Sequence, residues 1–174
     1  MITREHAQLM AEYNRWMNAK LYAAAAALSD AERKADRGAF FRSIHGTLVH
    51  LLVADLAWFY RFTGQSLDDL RAEAAQCEDF AHLCARREAV DAEIEAWAAT
   101  LTPDWLAADF TYYTMADGAK YTRPAWLLVT HLFNHETHHR GQVTTLLTQL
   151  GLDIGATDLP VLPRLAALYG DPPR

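Results

Sequence analysis

The chain has 174 residues, room for one domain whose core removes roughly two thirds of the unfolded chain's surface from water. Hydrophobic residues at 51% and charged residues at 22% exclude intrinsic disorder, collagen-like repeats and coiled-coil composition. With 16 Lys+Arg against 22 Asp+Glu the net charge is -6, which argues against nucleic acid or an anionic membrane as partner.

Four long segments show helical periodicity, and no internal repeat separates them into copies. The first runs from Thr3 to Leu28, with Leu9, Tyr13, Trp16, Met17, Leu21 and Ala24 recurring at steps of three and four. Ser29-Asp30 then breaks it or caps the next segment. The second, Phe40 to Phe62, is apolar nearly all round and ends at Thr63-Gly64, the pattern of a helix buried on several sides. The third spans Asp79 to Leu101. Phe80, Leu83, Val90, Ile94 and Trp97 form its stripe, with Arg86, Arg87, Glu88 and Glu93 read as the opposite face, and Thr102-Pro103 stops it.

From Phe110 to Thr122, two aromatic and Thr-rich runs flank Asp117-Gly118, which predicts a small hairpin lying across one end of the helices. Pro124 suits a first helical turn, and the fourth helix runs from there to Leu150 before Gly151. A loop to Pro163 and a short helix over Arg164 to Tyr169 precede a frayed tail, 171–174. The expected fold is therefore all-α: a single four-helix bundle domain over 1–170.

Cys77 and Cys84 have the spacing of neither a zinc knuckle nor a small disulfide scaffold, so both are expected to be reduced. The first residues carry no apolar signal run, and no stretch is long and apolar enough for a membrane anchor. Both expectations suit a cytoplasmic protein.

Histidine is the unusual count, 8 in all, with four between His131 and His139. At about 100° per residue, His135 and His139 fall about 40° and 80° from His131, and the apolar face centres near 90°. His138 falls on the margin. Burying two imidazoles one turn apart on the same face is costly unless their nitrogens find partners, and a divalent ion serves both. A stable site needs a third ligand. His45 and His50 on the second helix are the candidates, about 140° apart, and periodicity does not choose between them.

His135-Glu136-Thr137-His138-His139 also matches H-E-x-x-H, in which the glutamate is general base of a zinc metallopeptidase. The downstream histidine or glutamate that such peptidases require is missing from the sequence after His139. Glu136 and His139 form one E-x-x-H element, but no second copy supports a ferritin-like di-iron site.

The blocks YNRWMNAKLY from Tyr13, SIHGTLVHLLVADLAWFYRFTG from Ser43 and HLFNHETHHRGQVTTLLTQLG from His131 resemble the DinB family of damage-inducible, metal-binding four-helix bundles. That family is similar to mycothiol-dependent maleylpyruvate isomerases and bacillithiol transferases. The resemblance runs over nearly the whole chain. It implies a three-histidine divalent metal site, which matches His50, His135 and His139, with zinc or nickel bound and a low-molecular-weight thiol as cosubstrate. It further implies a small-molecule substrate and a homodimer. Glu136 and Gln142 are the candidate catalytic residues. Tyr13, Trp16 and Trp58 are candidates to wall the pocket. Asp55 is a candidate to orient a histidine ring or to pair with Arg61 or Arg140. The functional expectation is a metal-dependent enzyme of thiol transferase, isomerase or hydrolase type. The alternatives are a non-catalytic, stress-linked metal- or ligand-binding bundle and a zinc metallopeptidase using the HETHH motif.

Overall fold

A computed structural model describes residues 1–170; the tail expected over 171–174 lies outside the described residues. Four long helices dominate: α1 (Arg4–Ala26), α3 (Ile44–Thr63), α5 (Phe80–Ala98) and α7 (Ala125–Thr148). Shorter pieces lie between and after them: α2 (Asp30–Lys34), α4 (Leu70–Gln76), α6 (Pro103–Ala107) and α8 (Pro163–Tyr169). A strand pair, β1 (Asp109–Tyr113) and β2 (Lys120–Pro124), is antiparallel with Thr111 opposite Thr122. The mostly helical, DinB-like bundle expected from the sequence is the observed fold.

Side-chain caps set the helix starts. Thr3, Ser43, Asp79 and Thr102 each accept a hydrogen bond from a backbone N–H in the first turn of the adjoining helix, and Ser29 forms a reciprocal capping box with Glu32. α3 ends at Gly64, whose φ of 73° is the left-handed cap that glycine supplies at little cost. In the bundle α1 packs against α5 and α7, and α3 packs against α7 and α5. The core between them is built from Leu21, Ile44, Leu48, Leu52, Leu83, Ile94, Leu132 and Leu147, among others.

Three local features differ from the sequence expectation. The second helix starts at Ile44 rather than Phe40, because Phe40 and Phe41 belong to a tight turn before the Ser43 cap, and Phe40 is 83% exposed. The stretch between α3 and α5 contains about two helical turns, α4, which buries only Leu70. Arg87 does not face solvent on α5: it is 2% exposed. Its position one turn from Leu83 and Val90 places it on the buried stripe.

The buried arginine belongs to a polar network at the centre of the bundle. Arg87 Nη1 donates to Asp55 Oδ2 on α3 at 2.7 Å, and Arg87 Nη2 pairs with Asp91 Oδ1 at 2.8 Å. Asn18 of α1 donates to both Asp91 oxygens, at 3.0 and 3.3 Å. On α7, Arg140 pairs with Glu136 at 3.4 Å and donates to Asn14 of α1. All four long helices contribute. Among these groups, two guanidiniums face three carboxyl groups, so one carboxyl can be neutral without leaving a net charge in a medium that penalises it. Burial, followed by the neighbouring Asp55 carboxylate, holds Glu136 well above the usual carboxylate range.

Candidate metal centre

α3 and α7 pack side by side and bring His50, His135 and His139 to one point. Their Nε2 atoms form a nearly equilateral triangle: 3.3 Å from His50 to His135, 3.2 Å from His50 to His139 and 3.1 Å from His135 to His139. Two nitrogens bound tetrahedrally at ordinary zinc distances stand about 3.3 Å apart. The donor set is thus spaced as three ligands of one ion would be. Among the described residues, this is the cluster of three potential ligand side chains close enough to hold a metal.

The protonation of one member is set by its neighbour. Gln142 Oε1 lies 2.8 Å from His139 Nδ1; an amide oxygen only accepts, so Nδ1 carries the hydrogen and Nε2 presents its lone pair to the other histidines. The Gln142 amide nitrogen in turn faces His138 Nε2 at 3.4 Å. Gln142, a candidate catalytic residue, therefore acts on the ring of His139. Replacing it by leucine is expected to weaken metal binding about 10–100-fold while leaving the fold intact, measured by competition against a chromophoric chelator.

Burial, reinforced by the other histidines, lowers the values of His50 and His135 from 6.5 to about 4. Both are neutral at pH 7, the form that binds metal. In metal-free protein the consequence for stability has a definite sign. Between pH 6.5 and about 4 the unfolded chain takes up protons that these folded residues refuse, so stability falls as pH falls through that window. A melting series from pH 7.5 to 4.5 on metal-free protein is expected to show the decline, and a His50→Gln/His135→Gln variant a flatter one.

A wall that the sequence did not reveal covers one side. The Phe41 ring stacks on His50 with centroids 3.8 Å apart and meets His139 edge-on at 5.5 Å. A tight turn places it there. Ser43 N donates to Phe41 O at 2.7 Å around Arg42, whose φ is 67°, a γ-turn of the rarer positive-φ kind that a non-glycine residue adopts only under strain. Gly46 allows the turn to approach α3: a Cβ there would stand 2.4 Å from the Phe41 carbonyl oxygen. Alanine in a helix interior ordinarily gains up to about 1 kcal/mol over glycine. Here the clash with backbone outweighs it, and Gly46→Ala is expected to cost about 1–3 kcal/mol in urea denaturation.

On the other side, Trp58 meets His131 at 5.2 Å, and His131 meets His135 at 5.8 Å. Tyr112 of the hairpin packs on Trp58 at 5.1 Å. Arg61 lies over Trp58 and donates to the backbone oxygens of Ala57 and Tyr113. Trp58 thus borders the centre, while Tyr13 hydrogen-bonds to Thr157 O and Trp16 lines a separate cavity. His45 points elsewhere, its Nε2 2.9 Å from Cys77 O. Asp55 pairs with Arg87 rather than with Arg61, Arg140 or a histidine ring.

Glu136, the glutamate of the H-E-x-x-H match, is 0% exposed and accepts a hydrogen bond from Arg140 Nη1. It lies in the central network, and among the described residues none of its hydrogen bonds reaches the three histidines. A general base must face the reacting water; Glu136 faces the buried network instead, and burial followed by the neighbouring Asp55 pushes its carboxyl well above the usual carboxylate range. Neither cysteine approaches the histidines as a ligand. Cys77 is buried, its thiol pushed up to about 11 by desolvation, and Cys84 is raised for the same reason. No helix among the described residues is long and apolar enough to cross a membrane.

Comparison with known proteins agrees with these features. No solved structure matches the chain. Protein DinB of Bacillus subtilis (strain 168) is 28% identical over 151 residues, covering 84% of this chain and 87% of that protein. The family model described as the DinB family matches residues 1–173, and the chain belongs to that family.

Proposed function

We propose that the protein is a divalent-metal enzyme in which His50, His135 and His139 hold a zinc or nickel ion and a thiol brought by the substrate is the nucleophile. The observation that carries this reading is the convergence of three Nε2 atoms at 3.1–3.3 Å. Three neutral imidazoles leave the ion its full charge and an open position, the donor set of catalytic rather than structural zinc sites. When bound, such an ion lowers the pKa of a thiol or water toward neutrality. The chain's own residues have supporting roles. Gln142 fixes the tautomer of His139, Phe41 shields the His50 ring from water, and Trp58 and His131 border the approach for a small substrate. A thiol from the chain is disfavoured, because both cysteine thiols are pushed up and neither lies in the cluster.

The test mixes zinc- or nickel-loaded protein with a small thiol such as cysteamine and an electrophile such as monobromobimane. Thiol consumption is expected to be faster with the loaded protein than with chelator-treated protein, and His139→Ala should match the latter. Equal rates in all three, with metal bound to the wild type, would refute the enzyme reading and favour a binding role.

A further inference from the structure

Unlike the cavity between α1 and α5, which Trp16 and Tyr22 line and whose buried charges are paired, the surface beside the histidines carries a charge without a counter-ion. Arg33, Arg86, Arg87 and Arg140 are largely withdrawn from water, and each pairs with a carboxylate. Arg61, near the end of α3, is half-buried. Among the described residues, the one ionisable neighbour acting on its charge is the Tyr112 hydroxyl, and burial opposes that charge.

The guanidinium is held in place with donors to spare. Of the five N–H donors of an arginine, one on Nη1 goes to Ala57 O and one on Nη2 to Tyr113 O, both at 3.1 Å. The rings of Trp58 and Tyr112 lie 5.0 and 5.9 Å from Cζ, a setting that favours a cation. A fixed planar fork with unused N–H groups suits a carboxylate, which accepts two parallel hydrogen bonds from it at little further cost in side-chain freedom.

The placement of Arg61 relative to the histidines sets the length of what it would hold. Arg61 falls about 20° from His50 around α3, and the face between them carries the methyl groups of Ala54 and Ala57. Donation to Ala57 O draws the guanidinium back to about 10 Å of helix from His50. The side chains along the way are half-buried Trp58 and exposed His131, which in turn meets His135, so this route lies open to solvent. A molecule as long as about three extended residues spans it.

We propose that Arg61 anchors a carboxylate of the substrate, so that the thiol used at the histidine centre is an acidic one whose carboxylate stands about 10 Å from its sulfur. This inference rests on the thiol chemistry proposed above. The unused N–H groups of Arg61 donate to the carboxylate oxygens, and the body of the molecule lies against Trp58.

Cobalt-loaded protein reports thiol binding without turnover, through the near-ultraviolet absorption of a cobalt–sulfur contact. Mercaptooctanoate, whose carboxylate reaches Arg61, is expected to bind about tenfold more tightly than mercaptooctanol, and Arg61→Gln should bring the acid to the affinity of the alcohol. Mercaptooctanol should bind wild type and variant alike, which reports an intact hairpin, and Arg61→Lys should keep part of the preference. Mercaptopropionate is too short to reach and should not distinguish wild type from Arg61→Gln. Equal affinity of the wild type for the octyl acid and alcohol, or a preference that survives Arg61→Gln, would overturn the proposal. If no thiol adds absorption, the thiol reading fails instead. Arg61 is then judged by calorimetry of octanoate on metal-free protein, where binding lost in Arg61→Gln supports the anchor and equal or absent binding overturns it.

Discussion

Replacing Arg87 by methionine is expected to destabilise the protein by about 3–5 kcal/mol, because it leaves Asp55 and Asp91 buried without their cation. The three side chains are 2%, 0% and 4% exposed, so water cannot readily replace the lost partner. For a chain of this size such a loss lowers the melting temperature by roughly 10 °C. The cost belongs to the unpaired charges and not to the absence of the guanidinium as such. Arg87→Met combined with Asp55→Asn and Asp91→Asn should therefore recover part of the loss, since asparagine retains hydrogen-bonding capacity without charge. An Arg87→Met protein as stable as wild type would show that the α1–α5 cavity hydrates the network and that its charges do not depend on one another.

The second large effect concerns the histidines. His135→Ala is expected to reduce metal affinity on the order of a thousandfold, since removing one of three ligands forfeits a large share of a binding free energy of about 10 kcal/mol or more. Its effect on the metal-free fold should be small or of opposite sign. His50 and His135 are held near a value of about 4 by burial and by their neighbours, so losing one imidazole relieves an acid-side penalty. The combination is diagnostic: metal raises the melting temperature of wild type, and the variant loses that rise without losing its metal-free stability. A buried polar cluster serving only the fold would show the reverse, a lower melting temperature with no metal dependence.

Much of this arrangement is legible in the sequence for physical reasons. The i, i+4 spacing of His135 and His139 turns both rings to one face of a helix, and the apolar residues around them say which face is inward. Asp117-Gly118 between two aromatic runs marks the hairpin that brings Tyr112 to Trp58. Periodicity cannot choose between His45 and His50, because α3 buries residues on several sides; the structure turns His45 to a backbone carbonyl and His50 to the cluster. Phe41 escapes because its placement depends on a positive φ at an arginine, which has no compositional signal, and on a glycine whose role is a close backbone approach. The central network escapes for another reason. Chemistry alone assigns a charge on α5 to solvent, although Leu83, Arg87, Val90 and Ile94 fall in register. Asp55, alone among apolar neighbours on α3, is the available signal that a buried cation has to exist.

Binding of one divalent ion by His50, His135 and His139 together, through Nε2, is the proposal from which the metal chemistry follows. X-ray absorption at the zinc edge, on protein purified without a histidine tag and loaded with one equivalent of zinc, tests it most directly. The expected shell holds three imidazole nitrogens at about 2.0–2.1 Å, with one imidazole fewer in His50→Ala. A protein that retains no zinc, or a zinc shell of oxygen ligands unchanged by the His50 substitution, would contradict it.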